Sequence, residues 1–487
     1  MTKRLMAVWA LFLPLLALAD SGLRPSRPTL PHAPPVSALS VAHDGVVAIE
    51  LVDAIALALR DNRAIRSAYL QRIAQKFDLR VARDHYAPQL SLKARYSGNR
   101  NHSDRYREAQ LTPAASLLTP FGTRLSLDWA YGHTRADGAG RRFSDGANFL
   151  IIQPLLRGAG REIASAPLRQ ARLAEQLNRL ALKDDVIQII TRTITLYRSL
   201  LRAQEQLRIA DDGLLRSRQL VAVNRELIAA GRMAAFDIVQ AEAEVASQEL
   251  TREGSRNHLQ QSRLALAQLL AIDLSTELKA VEALHVEPLQ VDIDQALARA
   301  ELLQPAYLMQ RVASEQALID LQVAHDAQWW NLSLVGGASQ LRERPGNERT
   351  WEHYVGLELE VPINDVSRRQ ALVRAQVSVD QQALSQAESR QQLQREVTSA
   401  VRDIQVRWRQ LKLAERALAL SRRTFDIEQE KLAAGRSSNF QVLSFESDLR
   451  YAQSTHLDAT LDYLDAQVVL DQVVGSTLES WEVALND

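Results

Sequence analysis

Ten histidines are scattered through the 487-residue chain, at 32, 43, 85, 102, 133, 258, 285, 325, 353 and 456. None stands with another in an HExxH or similar metal-ligand spacing. Cysteine is absent, which excludes thiolate zinc sites, disulfide scaffolds and a cysteine nucleophile. The adjacent carboxylates Asp184-Asp185 and Asp211-Asp212 lie in helical runs, where such pairs read as solvated faces rather than as a general acid and base. Gly158-Ala159-Gly160 lacks both the Lys-Ser/Thr of a phosphate-binding loop and the third glycine of a dinucleotide site. No catalytic residues, cofactor or bound metal are therefore predicted. Lys+Arg and Asp+Glu both number 58, which also excludes a strongly basic nucleic-acid binder.

What the residues do specify is a set of elements. Lys3 and Arg4 precede an apolar run from Leu5 to Leu18, and Ala17-Leu18-Ala19 has the small-x-small pattern of a cleavage site. This predicts a signal peptide over 1–19, cleaved near Ala19, because the run is shorter than the ~20 residues of a spanning helix. Its removal leaves 56 basic and 58 acidic residues, a charge of about −2. Pro25, Pro28, Pro31, Pro34 and Pro35 make 20–44 a Pro-rich flexible tail. Stretches 168–287 and 363–487 contain no proline, and an internal proline is the strongest helix breaker, so both permit very long helices.

The chain repeats itself. Ala229-Ala230-Gly231-Arg232 recurs as Ala433-Ala434-Gly435-Arg436, Leu90-Ser91-Leu92 as Leu332-Ser333-Leu334, and Pro154 as Pro362, at shifts of 204, 242 and 208. The unequal shifts mean that the first half carries extra residues between its strands. We divide the chain into a first repeat over 45–272, a linker over 273–294 that contains Pro288, a second repeat over 295–475 and a C-terminal tail over 476–487. Each repeat reads as helix, strands, long helix, turn, long helix. Strands are expected over about 89–153 and 330–361, and long helical hairpins over about 165–272 and 367–475.

Apolar residues in the long helices step by sevens, as in Ile187, Ile194, Leu201 and then Leu207, Leu214, Val221, Ile228. That spacing implies left-handed supercoiling against neighbours. A helix from Ser165 to Ile228 would reach ~95 Å. Gly231 and Gly435 supply left-handed turns at the far end of each hairpin, and Pro154 and Pro362 mark the strand-to-helix junction.

The strands alternate. Leu90, Leu92, Ala94 and Tyr96 alternate with Ser91, Lys93, Arg95 and Ser97, and Leu125, Leu127, Trp129 and Tyr131 with Ser126, Asp128, Ala130 and Gly132. Val355, Leu357, Leu359 and Val361 alternate with Gly356, Glu358 and Glu360. One face therefore lies in an apolar medium and the other in water. A lipid-facing barrel wall and a core-facing sheet share this pattern. The signal peptide, the helix length and the flanking Trp129, Trp329, Trp330 and Trp351 favour the barrel, with Leu357 and Leu359 facing lipid. Open strand edges cannot stand in lipid, so the chain must oligomerise. Each repeat leaves the helices and returns to them, so its crossings are even in number. Two per repeat are expected, four per chain, although the first repeat offers three strand-like stretches, about 89–98, 123–133 and 147–153.

Together with Gln153-Pro154-Leu155-Leu156-Arg157-Gly158-Ala159-Gly160-Arg161 and the duplicated Ala-Ala-Gly-Arg turns, the chain resembles the TolC-type outer membrane efflux protein family over roughly 46–475. The resemblance implies a mainly α fold with a membrane β part, in which two tandem repeats from each of three chains form a 12-stranded β-barrel continuous with a 12-helix α-barrel tunnel. It further implies a Gram-negative outer membrane location, an exit-duct role in a tripartite efflux pump or type I secretion, and partners beyond the homotrimer. These are outer-membrane lipid, a periplasmic adaptor (membrane fusion) protein at the tips Gly231, Arg232, Gly435 and Arg436, and an inner-membrane transporter (ABC, RND or similar). In the best-known members, aspartates six and nine residues past the second turn's glycine ring the constriction. Gln441 and Ser444 stand there in this chain. Asp237 takes the sixth position in the first repeat, where the resemblance implies a carboxylate tying neighbouring hairpins, with Arg436 as its nearest partner. The family's arginine lies one residue further on, at Ser437. The competing reading, a secreted periplasmic coiled-coil scaffold or adhesin, leaves the alternating strands unexplained.

Overall fold

The computed structural model describes residues 46–485 apart from 101, 103–104, 139, 283, 347–348 and 364. The predicted signal peptide and the Pro-rich tail lie outside the described residues. Strand β1 (Val46–Ile49) leads into α1 (Leu51–Asp61), whose Ala54 to Leu59 are all buried. Asn62 ends α1 and caps α2 (Arg63–Asp84), its side chain accepting from the Ala64 and Ile65 amides and donating to the Leu269 carbonyl. Four strands follow: β2 (Gln89–Arg100), β3 (Arg105–Leu118), β4 (Arg124–Ala136) and β5 (Gly140–Pro154). A short α3 (Arg161–Ala164) opens onto α4 (Ala166–Ala229), a helix of 64 residues with Pro167 in its first turn, where the missing amide costs nothing. The chain turns into α5 (Asp237–Leu270) and β6 (Glu277–Ala280).

The second repeat contains α6 (Ile293–Leu303), α7 (Pro305–Asp326), β7 (Asn331–Arg344), β8 (Arg349–Glu360), α8 (Val366–Ala433, 68 residues) and α9 (Asn439–Val474). The α6–α7 break mirrors the α1–α2 break, with Gln304 capping the Tyr307 amide at 2.6 Å. The stretch from 476 is no loose tail. It forms α10 (Thr477–Ser480), and Leu478 and Val483 join the core.

The heptad positions Ile187, Ile194, Leu201, Leu214 and Val221 are buried. The main core gathers α1, the middle of α4, the ends of α5 and α9, and the parallel β1–β6 pair. Two tyrosines pin the linker to the helices. The Tyr197 hydroxyl donates to the Ile49 carbonyl and accepts from the Val281 amide, and the Tyr463 hydroxyl donates to the Glu287 carbonyl and accepts from the Leu289 amide.

One antiparallel sheet, in the order β2-β3-β4-β5-β7-β8, contains all the long strands. This differs from the two strands per repeat expected from the sequence. The first repeat supplies four strands and the second two, so the parity argument holds but the chain presents six strands rather than four. The strand missed is β3. The 34-residue difference between the 242 and 208 shifts corresponds to the inserted β3–β4 hairpin.

The hairpin is built into the sheet at its helix end. The Gly122 amide donates to the Thr119 carbonyl, and Thr123 Oγ1 donates to Gln153 Oε1 at 2.5 Å. Gly122 has φ +92°, and a Cβ there would lie 2.6 Å from the Gly158 carbonyl oxygen. Gly122→Val should therefore combine about 1–3 kcal/mol of backbone strain with a backbone clash, whereas Gly140→Ala, at φ +78° in open space, carries strain alone. Folded, heat-modifiable protein in membrane fractions should fall well below the Gly140→Ala level in Gly122→Val. Equal yields would mean that this turn is not held under the strand-to-helix passage.

Candidate functional site

Two regions combine the features expected of a working surface: the sheet, and the two tips where the long helices turn. In the sheet, register carries one apolar row across all six strands, because paired residues of antiparallel strands point to the same side. Leu92 pairs with Pro113, Leu111 with Tyr131, Leu127 with Phe149, Phe149 with Ala338, and Leu334 with Leu357. Leu90, Leu92, Tyr96, Leu357 and Leu359 on this face are exposed. The opposite face holds Lys93, Arg95, Glu108, Asp128, Glu352, Glu358 and Glu360. Trp329 and Trp330 sit at the helix end of β7, and Trp351 lies near the far end of β8, stacked on His353 with ring centroids 5.2 Å apart. Strands of 12–15 residues exceed the ~9–11 a tilted strand needs to cross a bilayer.

The strand–helix junction is closely tied. The Gly158 amide donates to Asp326 Oδ2 at 2.8 Å, the Tyr86 hydroxyl to the Ala164 carbonyl at 2.6 Å, and Gln170 Nε2 to Asp320 Oδ1 at 2.8 Å. Arg72, almost fully buried, forms an ion pair with Glu175 at 2.6 Å. Pro154 ends β5, and Pro362 lies between β8 and α8. Asp365 caps α8 by accepting from the Ser367 amide and hydroxyl, and these bonds hold its carboxyl below the usual range.

Toward the tips the apolar packing narrows to a small cluster of Phe425, Leu432, Val442 and Leu449, and polar contacts enter between the helices. Glu446 on α9 meets Arg216 of α4 at 3.2 Å and Arg450 at 2.7 Å, and Arg450 reaches Glu244 of α5. Asn224 is fully buried, and neither its side-chain nitrogen nor its oxygen has a hydrogen-bond partner. At the tips Gly231 and Gly435 have φ +69° and +73°. The two turns touch, since a Cβ on Gly435 would lie 2.9 Å from an Arg232 guanidinium nitrogen. Asn439 Nδ2 donates to the Asp237 carbonyl at 3.2 Å, joining the helices that leave the two turns.

These turns carry the sequence-predicted gate residues. Asp237 opens α5 and is half-buried, while Arg436, Gln441 and Ser444 are exposed. Gln441 is engaged locally, because it is the N3 residue of a capping box with Ser438. Asp237 and Arg436 are not paired within the chain among the described residues. Glu428, missed in the sequence, holds the second turn by accepting from Ser437 and Lys431, which keeps its carboxyl below the usual range. Among the described residues no acidic and histidine cluster able to hold a metal occurs, and no helix is long and apolar enough to cross a membrane.

Residues 293–476 match the family model described as outer membrane efflux protein. Over its second repeat the chain is thus similar to the outer membrane efflux protein family. The likeness of fold extends over both repeats. The channel CusC is similar over 92% of this chain and 98% of its own, with a TM-score of 0.67 at 19% identity. The Campylobacter jejuni outer membrane channel CmeC covers 88% and 86%, with a TM-score of 0.68 at 14% identity. The open state of the Neisseria gonorrhoeae outer membrane channel MtrE covers 93% and 97%, with a TM-score of 0.64 at 15% identity. Comparison with curated proteins yields no match.

The face assignment can be tested directly. Leu357→Arg or Leu359→Arg should cost about 2–4 kcal/mol of membrane assembly, and Gly356→Arg or Glu358→Arg far less, because a charge on the watery face stays hydrated. Equal assembly of both sets in outer-membrane fractions would reverse the assignment.

Proposed function

We propose that this chain is the outer-membrane exit duct of a tripartite efflux pump. Three copies close a barrel in the outer membrane of a Gram-negative bacterium, and the long helices continue it as a tunnel into the periplasm. A periplasmic adaptor of the membrane-fusion type docks at the tips around Gly231, Arg232, Gly435 and Arg436 and couples the duct to an inner-membrane transporter of the ABC, RND or a similar class. The observation that carries this reading is the two-sided sheet, apolar on one face and charged on the other, set end-on upon helices of 64 and 68 residues. A coiled-coil scaffold has no use for such a sheet. Type I secretion would use the same duct, and the two uses differ in the transporter attached.

The tip supports a gate. The apolar cluster here is small, Phe425, Leu432, Val442 and Leu449, and Arg216–Glu446–Arg450 and the unpartnered Asn224 interrupt it, so parting these helices exposes less apolar area than parting them at the main core. Gln441 and Ser444 replace the acidic ring implied by the resemblance, so strong cation block at this level is not expected. Between neighbouring chains, Asp237 and Arg436 form the lock, worth only ~0–1 kcal/mol per exposed pair, which a docked adaptor can undo.

Purified protein should run as a detergent-stable trimer, fractionate with the outer membrane and conduct ions in a planar bilayer. A monodisperse monomer without conductance, or release with soluble periplasm, would count decisively against the duct. Asp237→Ala and Arg436→Ala should each raise resting conductance, and the double variant should be no leakier than the leakier single. Additive effects, or unchanged conductance in both singles, would remove the lock.

A further inference from the structure

We infer that the wall is an eighteen-stranded barrel, sealed between subunits by a charge ladder in which Lys93 and Arg95 of one copy meet Glu358 and Glu360 of the next. The inference rests on the trimer proposed above and departs from the twelve strands implied by the family resemblance.

All six strands belong to the wall. If the β3–β4 hairpin stood outside the membrane, its alternation would have no reason to match that of its neighbours. Yet Leu111, Pro113, Ala115 and Leu117 of β3 and Leu125, Leu127, Trp129 and Tyr131 of β4 share the apolar face with β2 and β5 through continuous register. The turn at Gly122 is buried against the strand-to-helix passage.

Width agrees. Under the sheet, α2, α4, α7 and α8 pack side by side in that order, which is the order of the strands they join, β2, β5, β7 and β8. At ~4.8 Å between strands and a tilt of ~40°, six strands span ~38 Å of circumference and four only ~25 Å. Four helices spaced ~8–10 Å apart span ~32–40 Å. The β3–β4 hairpin therefore makes the barrel as wide as the tunnel below it.

The edges of the sheet are β2 and β8, and both are exposed along almost their whole length. Their unpaired amides and carbonyls require partners in lipid. β2 runs away from the helices and β8 returns to them, so β8 of one copy lies antiparallel to β2 of the next. On the watery face, β2 presents Ser91, Lys93, Arg95 and Ser97 and no acidic residue, while β8 presents Glu352, Tyr354, Gly356, Glu358 and Glu360 and no basic one. Among the described residues, Lys93, Arg95 and Glu358 have no ion-pair partner in their own chain, and Glu360 accepts only from Asn331 Nδ2 at 3.2 Å. Opposite charges on the two edges favour head-to-tail closure, and like charges oppose β2–β2 or β8–β8 pairing.

Two measurements test this. Electron cryo-microscopy of the wild-type protein in nanodiscs should count eighteen strands, with Leu111 and Leu127 against lipid. Twelve strands, whether from two copies or from three with the β3–β4 hairpin expelled, would overturn the inference while leaving a conducting duct intact. Separately, Lys93→Glu with Arg95→Glu, and Glu358→Lys with Glu360→Lys, should each lower the temperature at which the SDS-resistant trimer dissociates, and combining all four changes should restore it. Both pairs behaving as wild type, or a combination weaker than either pair, would refute the ladder. A protein with neither a trimer nor conductance would defeat the proposed function itself.

Discussion

A β-strand in hydrocarbon must have every backbone amide and carbonyl paired, and the duct proposed above follows from that requirement. Inside the sheet the ladders from β2 to β8 satisfy it. At the two edges, in the duct proposed above, another copy satisfies it. Everything that determines where β2 and β8 stand then becomes a condition of assembly. The junction meets that condition through the Gly158–Asp326, Tyr86–Ala164 and Arg72–Glu175 contacts, which tie the passage after β5 and the helices beneath the sheet together.

The same requirement accounts for the inserted hairpin. A sheet may gain strands only in pairs if the chain is to return to its helices, and β3–β4 is one such pair. It enters between β2 and β5, above the line where α2 meets α4, and leaves the order of the other elements unchanged. The duplication therefore remains legible in the helices and turns, although the two repeats contribute unequal numbers of strands.

The long helices, the breaker-free stretches, the turns at Gly231 and Gly435 and the alternating faces of β2, β4 and β8 could be read from residue types, because each is a local pattern with one dominant period. β3 could not. Its apolar row is Ala109, Leu111, Pro113, Ala115 and Leu117, and Ala114 beside Ala115 blurs the alternation while Pro113 reads as a breaker. The usable signal was arithmetic, since the unequal repeat shifts demanded room for a hairpin. At the tips, Ser438-x-x-Gln441 was a readable capping box, and it assigns Gln441 a local partner that family position alone did not suggest. Buried Glu446 with Arg216 and Arg450 was not readable, because it depends on which faces of α4 and α9 meet.

The two ends of the long helices are consequently held by different physics. Near the middle, Ile187, Ile190, Ile194, Tyr197 and Leu461 are fully buried, and the Tyr197 and Tyr463 hydroxyls clamp the linker around them. Toward the tips the apolar packing shrinks to the cluster of Phe425, Leu432, Val442 and Leu449, and ionic and amide groups interrupt it. Apolar packing resists separation in proportion to its area, which is larger at the waist than at the tips. Opening of the proposed duct at its tips would therefore pivot at the waist, where the linker binds both repeats, and leave the strands above in place. The third hairpin in each chain's sheet leaves this division intact, because the added strands bear on the junction and never reach the tips.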